Sequence, residues 1–588
     1  METLKENKPV IAMYDVRGIQ EYIFRTNRVK EIIGASEIVE DIIEKTLKTA
    51  IEKEMDGKED NINHLKWSDK KENIEPEDQK EISIDKQKLR FLQPTSDGKL
   101  VQAQVLFIGG GNAYVLYRNR ELGKRVNERM SKLILEKTYS LQLAVAMIEI
   151  DLSKEDYQKD YQNLRTEMDR IKAKMPVART FGALPIAKTD NATGFPIVKH
   201  AVELYPNNPQ ELSHESYLKQ KRAKEMKEEE EKKAEKGIGE VTEKEFDHLV
   251  TQHGEESILA IVHIDGNDMG QRIGQILREI GKGYTEAVST MREISSNIAQ
   301  SFNENAFEKM RFDLNEWLKK EGYDKKPEAG KSLYFKKDGT YLRKIIVAGD
   351  DITFVCNARL ALPLVEKFTQ YVSRHVLYGD QKEVEHRKKY GFSICAGIAY
   401  MHSHFPFHIA YKVAEACCDN AKKRAKEEER KDGVRIGNWV DFQICRNAQM
   451  GNLKETREKN YRLSDKSFLL RRPYYIPIDD EVYRELNKIN AVYSLTKMIE
   501  IINEFKDNEK FARSKVLQLR NTYPKGKNEM DMLISFLKSR GFKFGESSTE
   551  ISFDEPFAKD EKEEYYATYY DALEMLDFYE EINWKGEK

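Results

Sequence analysis

The arrangement that most constrains this 588-residue chain is a succession of short apolar runs and helical patterns that occurs twice. The first begins with apolar residues 10–14, which end at Asp15, and the second with residues 257–264, which end at Asp265. In each, a helical stretch follows, then two apolar runs around a turn, a second helical stretch and a last apolar run. This β-α-β-β-α-β order is ferredoxin-like. The sequence therefore predicts an α/β (α+β) fold with two ferredoxin-like domains, an internal duplication of architecture.

The turns between the paired apolar runs differ between the two halves. The first turn contains three glycines and an asparagine: Gly109, Gly110, Gly111 and Asn112. The second contains a glycine and two acids: Gly349, Asp350 and Asp351. Glycine permits a tight turn and lets a ligand approach the backbone closely. Both turns suit a bound nucleotide, and the second adds two carboxylates.

Three acids of the second half predict a metal site. In a ferredoxin-like sheet the first strand lies beside the hairpin, so Asp265, Asp350 and Asp351 can meet at one point. Carboxylate oxygens suit Mg²⁺ or Mn²⁺, and two such ions about 3.5–4 Å apart can activate a hydroxyl and neutralise a triphosphate. Asp is also an ordinary turn residue, which is the competing interpretation. Adjacent acids repel each other unless cations neutralise them, so we predict two ions here, with Gly266 beside them.

Further candidates for nucleotide contacts lie near these acids. Gly266 and Gly270 flank the start of the next helix, where free N–H groups favour phosphate. The residues between them belong to the same candidate site: Asn267, Asp268 and Met269. Lys422 and Lys423 lie on the helix after the last strand of the second half, where an ammonium can reach a triphosphate. A solvated basic helix end is the alternative for both lysines.

Several strings resemble the large subunit of type III CRISPR effector complexes, the Palm-domain protein that makes cyclic oligoadenylates. AGDDITFV resembles that family's GGDD hairpin, with Ala348 in place of the first glycine. HIDGNDMG resembles its first metal motif, and FSICAGIAYMHSHFPF with the AKK-bearing helix resembles its last core strand and helix. The resemblance implies two Palm domains, of which the second is catalytic and uses ATP with Mg²⁺ or Mn²⁺.

The N-terminal string DVRGIQEYIFRTNRVKEIIGAS resembles the opening of the family's first Palm domain. The resemblance implies that Gly34, Ala35 and Ser36 line a nucleotide pocket there. Because the glycine turn of this half has no carboxylate, the first Palm domain is expected to bind nucleotide without doing chemistry. The sequence has no His-Asp nuclease motif and lacks the family's zinc cysteines, so an effector-complex subunit and a stand-alone relative in another antiviral system are both compatible with it.

These features predict four segments. In order, they are the first Palm domain (1–185, with a charge-rich insertion over 54–100), a linker or charged insertion (186–254), the second Palm domain (255–445) and a helical C-terminal domain (446–588). Within the linker, residues 215–236 are dense in Lys and Glu and have almost no apolar stripe. We expect this stretch to be a solvated helix or a flexible segment.

Charge and composition exclude some roles. The net charge is −3, so the whole chain is not a generic binder of nucleic acid or membrane. No apolar run approaches the ~18 residues of a membrane span, and the polar N-terminus has no signal-peptide core. We therefore expect a soluble, cytoplasmic protein without a membrane partner.

The predicted function is that of a nucleotidyltransferase or cyclase that joins nucleoside triphosphates, with ATP as the expected substrate, into cyclic or linear oligonucleotides. Expected partners are nucleoside triphosphates, other effector-complex subunits and RNA. A nucleotide-binding, non-catalytic scaffold of a protein–RNA complex is the alternative. A templated polymerase or primase is the third candidate, although the sequence has no dedicated template-binding domain.

Overall fold

The chain divides into two compact units, each discontinuous in sequence. The first comprises Met1–Glu245, Asp268–Asn303 and Ile345–Asp351, and the second comprises Phe246–Asn267, Glu304–Lys344 and Ile352–Lys588. The computed structural model describes residues 8–40, 42–54, 62–63, 102–109, 111–152, 156–175, 186–235, 258–281, 283–321, 341–427, 437–446, 452–464, 466–507, 511–541, 555–559 and 563–584. Most of the insertion predicted over 54–100 lies outside the described residues.

The first sheet confirms the first ferredoxin-like fold. Its strands are β1 (Val10–Arg17), β2 (Ile62–Asn63), β3 (Ala103–Gly109), β4 (Asn112–Tyr117) and β5 (Gln142–Glu149). They are ordered β2-β3-β4-β1-β5, so β1 lies between β4 and β5 and is antiparallel to both. The residues from Val10 to Tyr14 are all buried. Because successive side chains point to opposite faces of a sheet, both faces of β1 are covered, which explains the unbroken apolar run.

Helices and two short strands complete the first unit. They are α1 (Ile19–Phe24), α2 (Val29–Glu40), α3 (Ile42–Glu54), α4 (Arg120–Thr138), α5 (Tyr157–Lys174), β6 (Ile197–His200), β7 (Glu211–Ser213), α6 (His214–Glu235), α7 (Met269–Glu279) and α8 (Tyr284–Ala299). The Asn119 side chain accepts a hydrogen bond from the Leu122 N–H at 2.9 Å before α4, and Asp156 accepts one from Lys159 at 3.2 Å before α5. Such caps satisfy N–H groups that the first helical turn leaves unpaired, so they fix where both helices begin.

We expected residues 215–236 to be solvated, and this expectation is wrong for the first two turns of helix α6. Helix α6 packs its start against α2, and Glu215, Ser216 and Lys219 are fully buried. The Lys219 Nζ donates hydrogen bonds to the Tyr22 carbonyl and to Glu215, each at 2.6 Å. A buried charge is tolerated when it is paired and hydrogen-bonded, so these polar residues form part of the interior instead of a surface.

Gly34 is the residue that allows α2 and α6 to approach so closely. A Cβ atom at Gly34 would lie 1.8 Å from the Lys219 carbonyl oxygen. We expect Gly34→Ala to lower the free energy of unfolding by about 1–3 kcal/mol or more, because the two helix backbones would have to separate. Urea unfolding measures this.

Gly274→Ala is the matched control for this substitution, since a Cβ at that helical glycine would be 3.7 Å from the nearest neighbour, the Arg278 side chain. This control is expected to gain about 0.5–1 kcal/mol from the better helix propensity of alanine. Equal stability changes in the two variants would contradict the close helix crossing.

The second sheet confirms the second ferredoxin-like fold and extends it. Its strands are β8 (Ile258–Gly266), β9 (Leu342–Ala348), β10 (Asp351–Asn357), β11 (Ile394–His402), β12 (Trp439–Cys445) and β15 (Tyr474–Tyr475). The order is β15-β12-β11-β8-β10-β9. The four strands β11-β8-β10-β9 repeat the pattern of the first sheet, and β12 adds to β11 in parallel. Strands β12 and β15 were not predicted from the sequence.

Helices pack on this sheet and link its strands. They are a π-helix (Gln300–Glu308), α9 (Lys309–Glu321), α10 (Ala361–Val372), α11 (Val384–Tyr390) and α12 (Phe407–Glu427). Helix α12 lies very close to β11, because a Cβ at Gly397 would be 1.9 Å from the Ala414 carbonyl oxygen. This contact fixes the face of α12 that lies on the sheet, and with it the position of Lys422.

The C-terminal region is mainly helical, as expected, but it also contains a small sheet. Its elements are α13 (Leu453–Tyr461), β13 (Arg462–Ser464), β14 (Ser467–Phe468), α14 (Arg484–Ile489), α15 (Leu495–Lys506), α16 (Arg513–Thr522), α17 (Lys527–Ser539), β16 (Phe557–Lys559), β17 (Tyr565–Ala567) and α18 (Tyr570–Met575). The sheet order is β13-β14-β17-β16. Among the described helices of the whole chain, none has the length and apolar composition needed to cross a membrane.

Candidate active site

Two of the three predicted metal ligands, Asp265 and Asp351, lie next to residues that pair across neighbouring strands. Strands β8 and β10 are antiparallel, and Ile264 lies opposite Ile352. Asp265 directly follows Ile264, and Asp351 directly precedes Ile352. The left-handed backbone of Gly349, with φ of 68°, makes the turn that brings Asp350 before the start of β10. The predicted pairing of the two strands is therefore present, and the convergence of the three acids on a metal stays a prediction, because the described part of the chain contains no group of three His, Cys, Asp or Glu side chains that could hold a metal ion.

Lys422 forms an ion pair with Asp265. The Lys422 ammonium on α12 donates a hydrogen bond to the Asp265 carboxylate. Burial opposes the charge on Lys422, but the combined attraction of Asp265 and neighbouring groups raises the pKa of the lysine to about 12. Lys422 therefore stays protonated at neutral pH. Lys423, the other lysine predicted for the site, is exposed.

The loop between β8 and α7 is fixed by Asn267. Its backbone N–H donates to the Ser393 carbonyl at 2.9 Å, and its side-chain amide donates to Ser393 Oγ and the Gly437 carbonyl, both at 3.3 Å. The amide donors of Asn267 are thus directed into the protein, which gives this residue a role in holding the loop. Gly266 pairs with Ile394 as the last residue of β8.

Helix α7 starts from an unusual backbone position. Asp268 adopts left-handed geometry with φ of 49°, and its carbonyl accepts hydrogen bonds from the N–H groups of Gln271 and Arg272, each at 3.0 Å. Its side chain makes no capping hydrogen bond to the first turn. Met269 is buried and Gly270 is exposed at the start of the helix.

His263 is a buried polar residue near the acids that the sequence analysis did not single out. Its Nδ1 lies 3.0 Å from the Thr353 Oγ1 on the adjacent strand. Burial lowers the pKa of His263 to about 4, despite the nearby Asp265 carboxylate. The imidazole is therefore neutral at pH 7 and adds no positive charge beside Asp265.

The first unit contains a cavity of about 330 Å³ with mainly apolar and aromatic walls. Its polar lining includes Asp15, Asn112, Arg165 and Lys172. The lining also includes four residues predicted from the sequence: Met269, Gly270, Gly349 and Asp350. Apolar walls with a few placed polar groups are typical of small-molecule sites. Parts of the predicted nucleotide site therefore meet in one cavity of this unit.

Asp15 and Lys172 form an ion pair in this cavity. The Lys172 ammonium on α5 donates a hydrogen bond to the Asp15 carboxylate on β1. Asp15 also lies opposite Asn112 of the first hairpin in the strand register. No role for Lys172 was predicted from the sequence, and its spacing from Asp15 becomes informative only once the structure shows that Lys422 lies at the same spacing from Asp265.

The predicted triplet Gly34, Ala35 and Ser36 does not belong to the described lining of this cavity. Gly34 lies at the crossing with α6, and Ala35 is fully buried. The Ser36 hydroxyl donates a hydrogen bond to the Ile345 carbonyl. The structure thus gives each member of the triplet a packing or hydrogen-bonding role, and a nucleotide contact at this triplet stays a prediction.

The glycine turn of the first hairpin is described in part. Gly109 ends β3 opposite Asn112, and Gly111 adopts left-handed geometry with φ of 78°. Glycine is favoured at such a position because other side chains clash with the backbone there. Gly110 lies outside the described residues.

One segment of the chain, which contains the second ferredoxin-like fold, matches a known family model. Residues 258–435 match the family model described as Cas10/Cmr2, second palm domain. This range includes Asp265, Asp350, Asp351 and Lys422. The chain therefore carries a Cas10/Cmr2-like palm domain in this segment.

Two solved structures that align with the chain contain Csm1 proteins. A Csm1–Csm4 cassette in complex with cA4 aligns with 98% of this chain and 70% of its own chain, at 14% identity and a TM-score of 0.48. Csm1 of T. onnurineus aligns with 97% of this chain and 69% of its own, at 14% identity and a TM-score of 0.45. No curated protein matches the chain.

Proposed function

We propose that this chain is a metal-dependent nucleotidyltransferase of the Cas10/Cmr2 palm type. It joins nucleoside triphosphates, with ATP as substrate, into cyclic or linear oligonucleotides and releases pyrophosphate. The observation that supports the proposal is the match of residues 258–435, which contain Asp265, Asp350 and Asp351, to the second palm domain, together with the pairing of Ile264 and Ile352, the neighbours of Asp265 and Asp351. The proposed setting is CRISPR-type or related antiviral defence.

The donor chemistry of these residues fits Mg²⁺ or Mn²⁺. All three side chains are carboxylates, and all three residues are partly exposed, with Oδ1 of Asp351 buried. When bound, two ions would lower the pKa of the attacking hydroxyl and neutralise the triphosphate. Gly349 keeps the hairpin narrow enough for a nucleotide to approach the acids.

The first palm domain has the features of a binding partner in this reaction. Its hairpin presents Gly111 and Asn112 in place of acids, and a neutral amide oxygen is a weak substitute for a carboxylate. The cavity beside Asp15 and Lys172 has apolar and aromatic walls that suit a nucleobase. We assign to this domain the acceptor nucleotide, whose 3′- or 2′-hydroxyl attacks the α-phosphate of the donor. Holding both reactants on one chain lowers the barrier by positioning them.

The proposed partners follow from the same family match. Nucleoside triphosphates are the substrates, and other effector-complex subunits and RNA are the proposed macromolecular partners. Among the similar solved structures, Csm1 is found with Csm4 and with cA4. Co-purification from cells with a tagged copy of the chain, followed by identification of bound protein and RNA, measures whether this chain has such partners.

Incubation of the purified protein with ATP and Mn²⁺, followed by mass spectrometry of the products, tests the proposed activity. We expect oligoadenylates together with pyrophosphate, and no product when a chelator removes the metal. ATP and Mn²⁺ binding without any product would favour the non-catalytic scaffold. Product that forms only with an added nucleic-acid template would favour a templated polymerase.

A further inference from the structure

Two aromatic rings and two arginines form a cluster beside β12, within the second unit. The rings of Trp439 and Tyr493 have centroids 6.2 Å apart. The guanidinium of Arg424, on α12, lies 5.4 Å from the centroid of the Trp439 ring and 4.6 Å from that of Tyr493. The guanidinium of Arg471 lies 5.3 Å from the Tyr493 centroid. Two cations are therefore in contact with one tyrosine ring.

This arginine–aromatic cluster is separated from the proposed catalytic acids by helix α12. Lys422 pairs with Asp265 on β8, whereas Arg424, two residues later, contacts Trp439 on β12. Side chains two positions apart on a helix point in nearly opposite directions, because each residue turns the helix by about 100°. The cluster is thus a different site, and an inference from it does not rest on the proposed function.

Two buried N–H donors at the cluster have no hydrogen-bond acceptor in the described part of the chain. They are the indole Nε1 of Trp439 and the side-chain Nδ2 of Asn490. Trp439 is fully buried, and Asn490, whose carbonyl accepts the Tyr493 N–H at 2.9 Å, is 1% exposed. Most buried polar groups have a partner, because an unpaired one costs free energy. These donors therefore indicate that an acceptor-bearing ligand completes the site.

Arg471 adds a cation that is not neutralised within the residues that the structure describes. Its backbone N–H donates to the Asp571 carboxylate at 2.8 Å, but its guanidinium makes no hydrogen bond or ion pair to any of these residues. Asp571 is already engaged by the Arg472 Nε and the Tyr474 hydroxyl, each at 3.0 Å. A guanidinium has planar N–H donors that match the oxygens of an anion, so Arg471 is available to one.

The cluster is open to solvent on the side of its arginines. Tyr493 and Arg471 are partly exposed, and the Arg424 side chain is 26% exposed. Arg424 also pairs with Glu427 at 3.5 Å, so Arg471 is the principal free charge. The positive charge is therefore at the open side, and the unpaired indole N–H is at the closed side.

We propose that this cluster binds a phosphate group. A phosphate carries the charge opposite to that of the arginines and has only acceptor oxygens towards N–H donors. It offers more of these oxygens than a carboxylate does, which suits a site with several separate donors. Arg471 is the main anchor, and Trp439 Nε1 supplies a neutral hydrogen bond from the buried side. A free phosphate and the backbone of an RNA strand both carry this group.

The indole N–H signal of Trp439 in a heteronuclear NMR spectrum measures binding at the site itself. The chain has four tryptophans, and Trp439→Phe identifies the signal because it removes that N–H and keeps an aromatic ring. Inorganic phosphate and a short oligouridylate are titrated separately into the isotope-labelled protein. We expect a saturable shift of the Trp439 signal with phosphate. A shift with oligouridylate as well assigns the site to an RNA strand, and a shift with phosphate alone assigns it to a free phosphate.

Matched arginine variants test the anchor. Arg471→Met is expected to weaken phosphate binding by about tenfold or more, because hydrogen bonds between charged partners are the strong ones. Arg484→Met removes the same charge from α14, where Arg484 is exposed. This control is expected to change the affinity by less than about twofold, because salt screens an exposed charge that does not touch the ligand.

Two results would overturn the proposal: no saturable shift of the Trp439 signal with either probe, or equal weakening by Arg471→Met and Arg484→Met. Should Trp439→Phe fail to fold, thermal unfolding gives the same decision. Phosphate is then expected to raise the unfolding temperature of the wild type and of Arg484→Met, but not that of Arg471→Met. A protein that makes oligonucleotides and binds no phosphate here overturns this inference and leaves the proposed function standing.

Discussion

Asp350→Ala and Asp351→Ala variants are each expected to lose product formation by about 1000-fold or more, which corresponds to roughly 4 kcal/mol of transition-state stabilisation. The physical reason is that each substitution removes an anionic oxygen ligand from the proposed metal site, and alanine offers none. The fold is expected to survive, because the removal of like charges from a turn relieves repulsion. Product yield by mass spectrometry and the urea midpoint of unfolding measure the two effects.

Asp380→Ala is a control for these variants, because Asp380 occupies a turn with a backbone geometry similar to that of the turn at Asp350. Asp380 is an exposed turn aspartate that follows a glycine in left-handed geometry, Gly379, as Asp350 follows Gly349. It lies on a different turn, between α10 and α11, so its loss is expected to leave product formation within about twofold of the wild type, a change of under 0.5 kcal/mol. Near wild-type activity in both hairpin variants would contradict the assignment of the acids.

Arg472→Met is expected to cost about 3–5 kcal/mol of unfolding free energy, the second largest effect that we expect. Arg472 is buried, and its guanidinium bonds the Asp571 carboxylate at 3.0 Å, the Glu574 carboxylate and the Phe442 carbonyl at 2.6 Å. Loss of the arginine leaves the buried Asp571 carboxylate without its counter-charge and leaves Glu574 with the exposed Arg446, which is far more costly than the loss of an exposed ion pair. Chemical unfolding of the purified variant measures the loss.

Arg446→Met provides the matched comparison, because Arg446 bonds the same Glu574 at 3.3 Å while its own side chain is 67% exposed. An exposed partner contributes little, so we expect a loss below about 1 kcal/mol. We infer that burial is the reason why Arg472 stabilises the contact between β12 and α18 so strongly. Similar losses of unfolding free energy in the two variants would contradict this inference.

The sheets were predictable from the sequence because their central strands are covered on both faces. Strand β11 is buried at every position from Ile394 to Met401, and such strands appear in sequence as unbroken apolar runs. Helix α6 was mispredicted for the opposite reason. Its buried Lys219 and Glu215 satisfy each other inside the protein, so a composition that looks solvated conceals an interior contact.

The pairing of β8 with β10 was predictable because each of these strands appears in the sequence as an apolar run next to an aspartate. The ion pairs were not, because Lys172 and Lys422 are distant in sequence from their partners and their helices carry many other basic residues. Gly34 shows a further limit of sequence patterns. Small residues suit a ligand pocket and a close helix crossing equally well, and at Gly34 the structure has the helix crossing.

We propose that the second palm domain is catalytic and that the first only binds nucleotide. Locating metals and nucleotides in crystals tests these two roles most directly. Crystals soaked with a non-hydrolysable ATP analogue and Mn²⁺ allow the metal positions to be found from anomalous scattering. We predict two nucleotides per chain, with Mn²⁺ at Asp265, Asp350 and Asp351 and none at the hairpin of Gly111 and Asn112. Mn²⁺ at the first hairpin, or a single nucleotide per chain at saturation, would contradict the account.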